Sequence, residues 1–164
     1  MDTPLKQVII YTDGGCDPNP GTGGWAAVLR CGGAVKELSG GATDTTNNRM
    51  EMTAAIQALE SLKYPCQVEL HTDSQYLQRG ITEWLPNWKS RGFRRKGGEV
   101  LNADLWRQLD EISARHEVRW LWVRGHAGNP MNERCDELAA AAILAQKRRE
   151  SGSGLRPTRI SADG

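Results

Sequence analysis

The chain has 164 residues and a mass of 18.1 kDa, a length that suits one domain with at most a short tail. Its hydrophobic fraction of 38% and charged fraction of 25% allow a normal core and exclude general disorder. The longest apolar run, residues 138–145, is far shorter than the roughly 20 residues of a membrane span. We therefore expect a cytoplasmic protein without a membrane association, whose four cysteines are reduced thiols.

The net charge of +1 conceals an uneven distribution along the chain. Residues 86–98 carry five basic side chains and no acidic one, whereas residues 1–85 carry six basic and ten acidic side chains. This separation indicates that one region binds cations and another binds a polyanion. The alternative is that the basic segment is a solvated loop.

The first quarter of the chain has the pattern of three strands. Residues 6–13 form a β-branched run, and residues 14–24 are so rich in turn-forming residues that we expect a loop. Two further strands, 25–31 and 34–42, are separated by Gly32-Gly33, which predicts a hairpin. Connections as short as these favour antiparallel pairing.

Helical and extended patterns alternate in the rest of the chain. The predicted helices cover residues 46–63, 74–79, 81–90 and 103–116, with a last helix that opens at Asn129-Pro130, and the predicted strands cover 67–72 and 117–123. A helix between two strands implies a parallel crossover. We predict an α/β fold whose five-stranded mixed sheet has three antiparallel strands, then parallel ones, flanked by helices. The domain is expected to span residues 1–146, followed by a disordered basic tail at 147–164.

Four acidic residues stand at positions where a ligand site is expected. Asp13 and Asp73 end two strands that we expect to be parallel neighbours, so their carboxylates should meet at one edge of the sheet. Glu51 and Asp136 lie in the first turns of two helices. Each has an ordinary explanation: the strand-end acids as turn caps, Glu51 as a capping partner of Asn48, and Asp136 as a charge favoured by the helix dipole. Together they form an oxygen-only set suited to Mg²⁺ or Mn²⁺, and two such ions serve phosphodiester chemistry.

Amide side chains lie close to these acids in the sequence. Asn47 and Asn48 precede Glu51 by about one helical turn, and Gln75 follows Asp73 by two residues. Amides can hydrogen-bond ribose hydroxyls and base edges, although helix capping would also explain them.

Four separated motifs resemble those of a type 1 ribonuclease H of the bacterial kind. They are Tyr11-Thr-Asp-Gly-Gly, Thr46-Asn-Asn-Arg-Met-Glu51, Thr72-Asp-Ser-Gln-Tyr76 and the segment that runs from Gly125-His-Ala-Gly to Asn132-Glu-Arg-Cys-Asp136. The resemblance extends from about Val8 to Ala145, and it includes a segment at about 81–101 that is similar to the basic handle of that family.

The resemblance implies a ribonuclease H-like fold and an endonuclease that hydrolyses the RNA strand of RNA–DNA hybrids. It implies that Asp13, Glu51, Asp73 and Asp136 hold two Mg²⁺ ions, for which Mn²⁺ could substitute, and that the products carry 5′-phosphate and 3′-hydroxyl ends. By the same resemblance, His126 would assist proton transfer or product release.

The resemblance also implies a set of residues that bind the hybrid. Those expected to line the groove for the RNA strand are Cys16, Asn19, Asn47, Asn48 and Gln75. Those expected to hold the DNA strand are Trp84, Lys89, Arg91, Arg94 and Arg95 in the handle, with Thr46 and Asn102 in a pocket for a DNA phosphate.

Two alternative functions remain open at this stage. The protein could be a non-catalytic module that binds hybrids, which the basic handle alone would allow. It could also be a DNA-cutting relative, which would share the acidic residues but would not need the amides. We expect a monomer in either case, because no heptads or long apolar stripes are present.

Overall fold

A computed structural model describes residues 4–124 and 128–159, with side chains as far as residue 152. The strands are β1 (Lys6–Cys16), β2 (Gly21–Cys31), β3 (Ala34–Thr45), β4 (Cys66–Thr72), β5 (Arg94–Arg95), β6 (Gly98–Glu99) and β7 (Glu117–Trp122). The helices are α1 (Asn47–Glu60), α2 (Gln75–Arg79), α3 (Leu85–Ser90), α4 (Ala103–Ser113) and α5 (Pro130–Arg159). A π-helical turn (Gly80–Trp84) joins α2 to α3. Within these described segments, no helix is both long enough and apolar enough to span a bilayer.

Five strands form the central sheet in the order β3-β2-β1-β4-β7. The pairs β1–β2 and β2–β3 are antiparallel, and the pairs β1–β4 and β4–β7 are parallel. This confirms the predicted mixed sheet and the hairpin at Gly32-Gly33, where Cys31 pairs with Ala34.

Hydrophobic residues cover both faces of the sheet. The larger cluster packs α1 and α4 against β1, β2 and β4, and the indole of Trp106 is completely buried in it. On the opposite face, α5 places Cys135 and Ala139 against Tyr11, Ala26 and Val28. The sheet is therefore a rigid layer between helices, and its strand ends are well placed to carry a site.

The glycine-rich segment 14–24 is not a long loop. Strand β1 continues to Cys16 and β2 begins at Gly21, so only residues 17–20 form the turn. The prediction was wrong because several of these glycines serve close packing rather than turn formation. A Cβ at Gly24 would lie 2.7 Å from the backbone nitrogen of Ile143 in α5.

Helix α5 continues without interruption to Arg159, so it includes most of the segment 147–164 that we expected to be a disordered tail. The polar composition after Gln146 suggested disorder, but the side chains of Lys147 and Glu150 bond to the body of the domain. Residues 160–164 lie outside the described part of the chain.

The cap of α1 and the elements of the handle also differ from what the sequence predicts. Helix α1 is capped by Thr46, whose side chain accepts a hydrogen bond from the Arg49 N–H, and not by Asn48. The handle consists of the π-helical turn and α3 followed by a hairpin of β5 and β6, which the sequence pattern did not show.

Candidate active site

Asp13 and Asp73 come together where β1 and β4 separate. The parallel pairing of these strands ends at Thr12 and Thr72, so the next residue of each is an aspartate. Strand β1 then continues beside β2, with Asp13 opposite Ala26. The parallel pairing therefore brings the two carboxylates to one sheet edge, as the sequence predicted.

Glu51 approaches the same point from α1. The helix can come so close because Gly14 has no side chain: a Cβ at Gly14 would lie 2.4 Å from the carbonyl carbon of Met50 and 2.6 Å from the nitrogen of Glu51. Contacts below 3.0 Å are essentially never made by real Cβ atoms, so any other residue at position 14 would push α1 away. The carboxylate of Glu51 is buried as a result.

The three carboxylates are close enough to bind one ion. Asp13, Glu51 and Asp73 each offer an oxygen, and these oxygens all lie within 4.8 Å of one another. Asp136, in the second turn of α5, lies close enough to Asp13 to raise the pKa of its carboxyl. The four acidic residues that the sequence analysis selected therefore share one site.

Burial and mutual repulsion make this cluster costly to ionise. Burial is the largest cause that raises the pKa of Asp13 to about 8, and the neighbouring Asp136 and Asp73 raise it further. The pKa of Glu51 is raised well above its usual range, again mainly by burial and then by Asp73. A metal-free cluster would thus hold protons at neutral pH, and a bound cation would displace them.

Two carboxylate oxygens of these acids have no hydrogen-bond partner in the described part of the chain. They are Oε1 of Glu51 and Oδ1 of Asp73, and both are buried. Buried carboxylate oxygens are normally hydrogen-bonded, so their orientation needs an explanation. A hard divalent cation supplies one, because such ions prefer oxygen ligands and compensate clustered negative charge. The residues present therefore fit a site for Mg²⁺ or Mn²⁺.

Hydrogen bonds from β7 and from α5 hold the backbone around these acids. The indole Nε1 of Trp122 in β7 donates to the carbonyl oxygen of Asp73 at 3.1 Å. The thiol of Cys135, next to Asp136, bonds to the carbonyl oxygens of Tyr11 and Ala26 and is fully buried. Burial and the nearby acids raise the pKa of this thiol, so Cys135 is a packing residue rather than a nucleophile.

Residues expected to contact RNA lie beside the acids. The amide oxygen of Asn47 accepts a hydrogen bond from the backbone nitrogen of Cys16 at 2.8 Å, and the amide oxygen of Asn19 accepts one from the backbone nitrogen of Asn47 at 3.0 Å. The 17–20 turn and the start of α1 are thereby tied together. Asn48 lies in the first turn of α1, and Gln75 begins α2 directly after the Ser74 cap.

The two residues expected at a DNA phosphate, Thr46 and Asn102, are joined through Arg49, a residue that the sequence did not point to. Arg49 donates from Nη1 to Oδ1 of Asn102 at 3.1 Å, and its backbone N–H donates to Thr46. Arg49 also forms two hydrogen bonds to the carboxylate of Asp104. Asn102 in turn donates to the hydroxyl of Tyr76. Only the position of Arg49 within the Thr46–Glu51 motif could have indicated its role.

The handle places an aromatic cluster next to basic side chains. Trp84 contacts Trp88 and Tyr76, with ring centroids 5.7 and 6.0 Å apart, respectively. A pocket of about 320 Å³ lies between these rings and Arg95. Arg91, Arg94 and Arg95 are exposed, whereas Lys89 forms an ion pair with Asp110 at 3.2 Å. His126 lies outside the described residues.

Comparison with known proteins agrees with this architecture. Residues 5–144 match the family described as RNase H. A Ribonuclease H of Chelativorans sp. (strain BNC1) is 56% identical over 149 residues, which cover 90% of this chain and 92% of that protein. A Ribonuclease H of Pseudomonas paraeruginosa (strain DSM 24068 / PA7) is 62% identical over 142 residues, with coverages of 86% and 96%.

Solved structures show the same likeness. LC9-RNase H1, a type 1 RNase H with the type 2 active-site motif, has 33% identity and a TM-score of 0.80, over 89% of this chain and 76% of that one. LC11-RNase H1, solved in complex with an RNA/DNA hybrid, has 28% identity and a TM-score of 0.64, over 84% of this chain and 97% of that one.

A mixed sheet with clustered carboxylates at the ends of adjacent parallel strands defines, together with these relatives, an endonuclease of the hydrolase class. The chain belongs to the RNase H family, which confirms the resemblance found in the sequence. Its activity is hydrolysis of the RNA strand of RNA–DNA hybrids.

Proposed function

We propose that this chain cleaves the RNA strand with two Mg²⁺ ions held by Asp13, Glu51, Asp73 and Asp136, leaving 5′-phosphate and 3′-hydroxyl ends. The observation that carries this proposal is the cluster of Asp13, Glu51 and Asp73, which each offer a carboxylate oxygen within 4.8 Å of the others. Glu51 and Asp73 in addition each have a buried carboxylate oxygen without a hydrogen-bond partner among the described residues. When bound, the two ions would make the attacking water more acidic and offset the charge that develops on the leaving oxygen.

The protein's own part in this reaction is to keep the four carboxylates in place before the substrate binds. Gly14 lets α1 bring Glu51 to the strand ends, and the indole of Trp122 holds the carbonyl of Asp73. Asp13 lies on β1, Glu51 and Asp136 lie on helices, and Asp73 directly follows β4, so all four carboxylates are carried by or next to regular elements that keep their positions when a cation binds. His126 would assist proton transfer or product release from the segment directly before α5, the helix that carries Asp136.

The RNA strand would bind along the 17–20 turn and the start of α1. Cys16, Asn19, Asn47, Asn48 and Gln75 would line the groove on this side, and the side-chain amides of the last four suit hydrogen bonds to 2′-hydroxyl groups. The hydrogen bonds that Asn19 and Asn47 make to the backbone leave their amide NH₂ groups available as donors.

The DNA strand would bind across the handle. Trp84 and the exposed Arg91, Arg94 and Arg95 offer a ring for a sugar and cations for phosphates, and Thr46 with Asn102 would hold a further phosphate. Lys89 contributes less charge than predicted, because its ammonium group is already paired with Asp110.

We also propose a catalytic domain of residues 1–146 with the handle at about 81–101, acting as a monomer in the cytoplasm. All four cysteines are free thiols.

A cleavage assay tests the proposal. A hybrid labelled on the RNA strand is incubated with the wild type, with Asp13→Asn and with Glu111→Gln, each in Mg²⁺ and in a chelator. Glu111 is an exposed acid far from the cluster in sequence, which makes its variant a matched control for the lost charge. We expect the wild type and Glu111→Gln to cut only with Mg²⁺ and Asp13→Asn not to cut. Cutting in chelator, or wild-type rates for Asp13→Asn, would contradict the proposal, and cutting of an all-DNA duplex would favour a DNA-cutting relative.

A further inference from the structure

The last helix continues well past the acidic site and rests on the turn at its rim. Helix α5 crosses β2 and β3, where two glycines let it approach closely. A Cβ at Gly41 would lie 2.7 Å from Oε1 of Gln146 and 2.9 Å from its Cβ, so the helix and β3 are in direct contact there. The residues that follow Gln146 are thereby directed toward the 17–22 segment.

Two side chains of this extension bind that segment directly. The hydroxyl of Thr22 donates to Oε1 of Glu150 at 2.7 Å, in a partly buried position. The ammonium group of Lys147 pairs with Oδ2 of Asp17 at 2.8 Å. Glu150 is itself held by Gln146, whose amide donates to its other carboxylate oxygen at 3.3 Å. Asp17 and Thr22 are also bonded to each other, since the Asp17 N–H donates to the Thr22 carbonyl at 2.8 Å and closes the turn.

The turn is consequently held from two sides. On one side the Asn19 and Asn47 side chains connect it to α1, which carries Glu51. On the other side Glu150 and Lys147 connect it to α5, which carries Asp136.

We propose that the α5 extension positions the 17–20 turn and the start of β2 at Thr22 for the RNA strand, with Glu150 as the main positioning residue. This inference rests on the proposed function, because it takes the turn as part of the RNA groove. The Lys147–Asp17 pair contributes less, since both side chains are exposed and such pairs contribute little. The extension thus acts on substrate affinity, through the turn, without touching the reacting atoms.

The direction in which Glu150→Ala changes the affinity for the hybrid distinguishes a positioning role from a purely electrostatic one. Glu150 is an anion next to a surface that binds a polyanion, so charge alone predicts that Glu150→Ala binds the hybrid more tightly. Positioning predicts the opposite, because loss of the Thr22 hydrogen bond loosens the turn. A hydrogen bond of this kind changes an equilibrium by a factor of about three to ten.

Steady-state cleavage of a hybrid by the full chain tests the proposal, with the wild type, Glu150→Ala, Glu150→Gln and Arg148→Ala. Arg148 is an exposed cation two residues from Glu150, so its variant reports any general electrostatic attraction by the extension. We expect Glu150→Ala to raise KM about three- to tenfold with kcat within about twofold. Glu150→Gln keeps an acceptor for Thr22 and should restore KM, and Arg148→Ala should leave KM within about twofold. A KM for Glu150→Ala equal to or below that of the wild type would overturn the proposal.

Amide hydrogen exchange gives a readout that does not depend on cleavage. In Glu150→Ala the Asp17 N–H, which closes the turn, should exchange about three to ten times faster, while amides in β4 remain unchanged. Unchanged exchange at Asp17 would overturn the positioning role even if KM rose. If the wild type does not cut hybrids at all, the proposed function fails, and faster exchange at Asp17 would still show that α5 holds the turn.

Discussion

Replacing Asp13 with asparagine should make the metal-free protein more stable. The carboxyl of Asp13 has a pKa of about 8 in the folded chain against 3.8 as its ordinary value, because of burial and the neighbouring Asp136 and Asp73. The folded state therefore holds a proton that the unfolded state releases between these two values. The stability that this proton provides is complete below about pH 4 and is lost as the pH rises through about 8.

The size of the effect follows from the difference between the two pKa values. Each pKa unit corresponds to about 1.4 kcal/mol. At pH 7 the ionisation of Asp13 in the unfolded state therefore lowers the free energy of unfolding by about 4 kcal/mol. The asparagine amide is also polar and buried, and it retains part of the desolvation cost. We expect Asp13→Asn to gain about 2 to 4 kcal/mol at pH 7, which for a chain of this length is a rise in Tm of about 5 to 15 °C.

Thermal unfolding in a chelator measures this gain. Melts of the wild type, Asp13→Asn and the exposed control Glu111→Gln are recorded from pH 5 to 8.5. The difference in Tm between Asp13→Asn and the wild type should grow as the pH rises, whereas Glu111→Gln should follow the wild type. Equal Tm values for Asp13→Asn and the wild type at pH 8 would show that the fold does not raise the pKa of the Asp13 carboxyl.

Three further predictions concern the geometry of the site and its substrate surface. Gly14→Ala should lower kcat by about 100-fold, because its Cβ would displace the backbone of α1 by about 1 Å. Gly33→Ala, at a position with open space around it, should leave kcat unchanged. Similar kcat values for the two variants would show that Gly14 is not needed for the approach of α1. Asn102→Gly keeps the left-handed backbone at φ 61° but loses the hydrogen bonds to Arg49 and to Tyr76. The KM for the hybrid should therefore rise about three- to tenfold. An unchanged KM would exclude this residue from the phosphate pocket. Arg94→Ala combined with Arg95→Ala should flatten the slope of log affinity against log salt by about two, and an unchanged slope would mean that neither side chain faces a phosphate.

Most of the sheet could be predicted from the sequence because local patterns determine it. The β-branched run of β1, the Gly32-Gly33 hairpin and the helix between β3 and β4 each carry a signal within a few residues. The convergence of Asp13 and Asp73 followed from the parallel pairing of their strands. These inferences needed no knowledge of long-range side-chain contacts.

The failures came from contacts between distant parts of the chain. Gly24 looks like a turn residue, and only the approach of α5 shows that it is a packing residue in a strand. The helix past Gln146 looks disordered from its composition, but Glu150 bonds to Thr22, 128 positions away. Arg49 lies within the Thr46–Glu51 motif, but its neighbours in the sequence do not show that it would bond to Asn102 and Asp104. Such side-chain partners depend on the assembled fold and cannot be derived from local periodicity.

The most direct test of the account is to locate a divalent cation by anomalous scattering from Mn²⁺ in crystals of the wild-type protein. We expect a peak in contact with the carboxylates of Asp13, Glu51 and Asp73, and we expect this peak to be lost in Asp73→Asn. Mn²⁺-dependent cleavage by protein whose crystals show Mn²⁺ only at other positions would contradict the central claim that these buried carboxylates are the cation site.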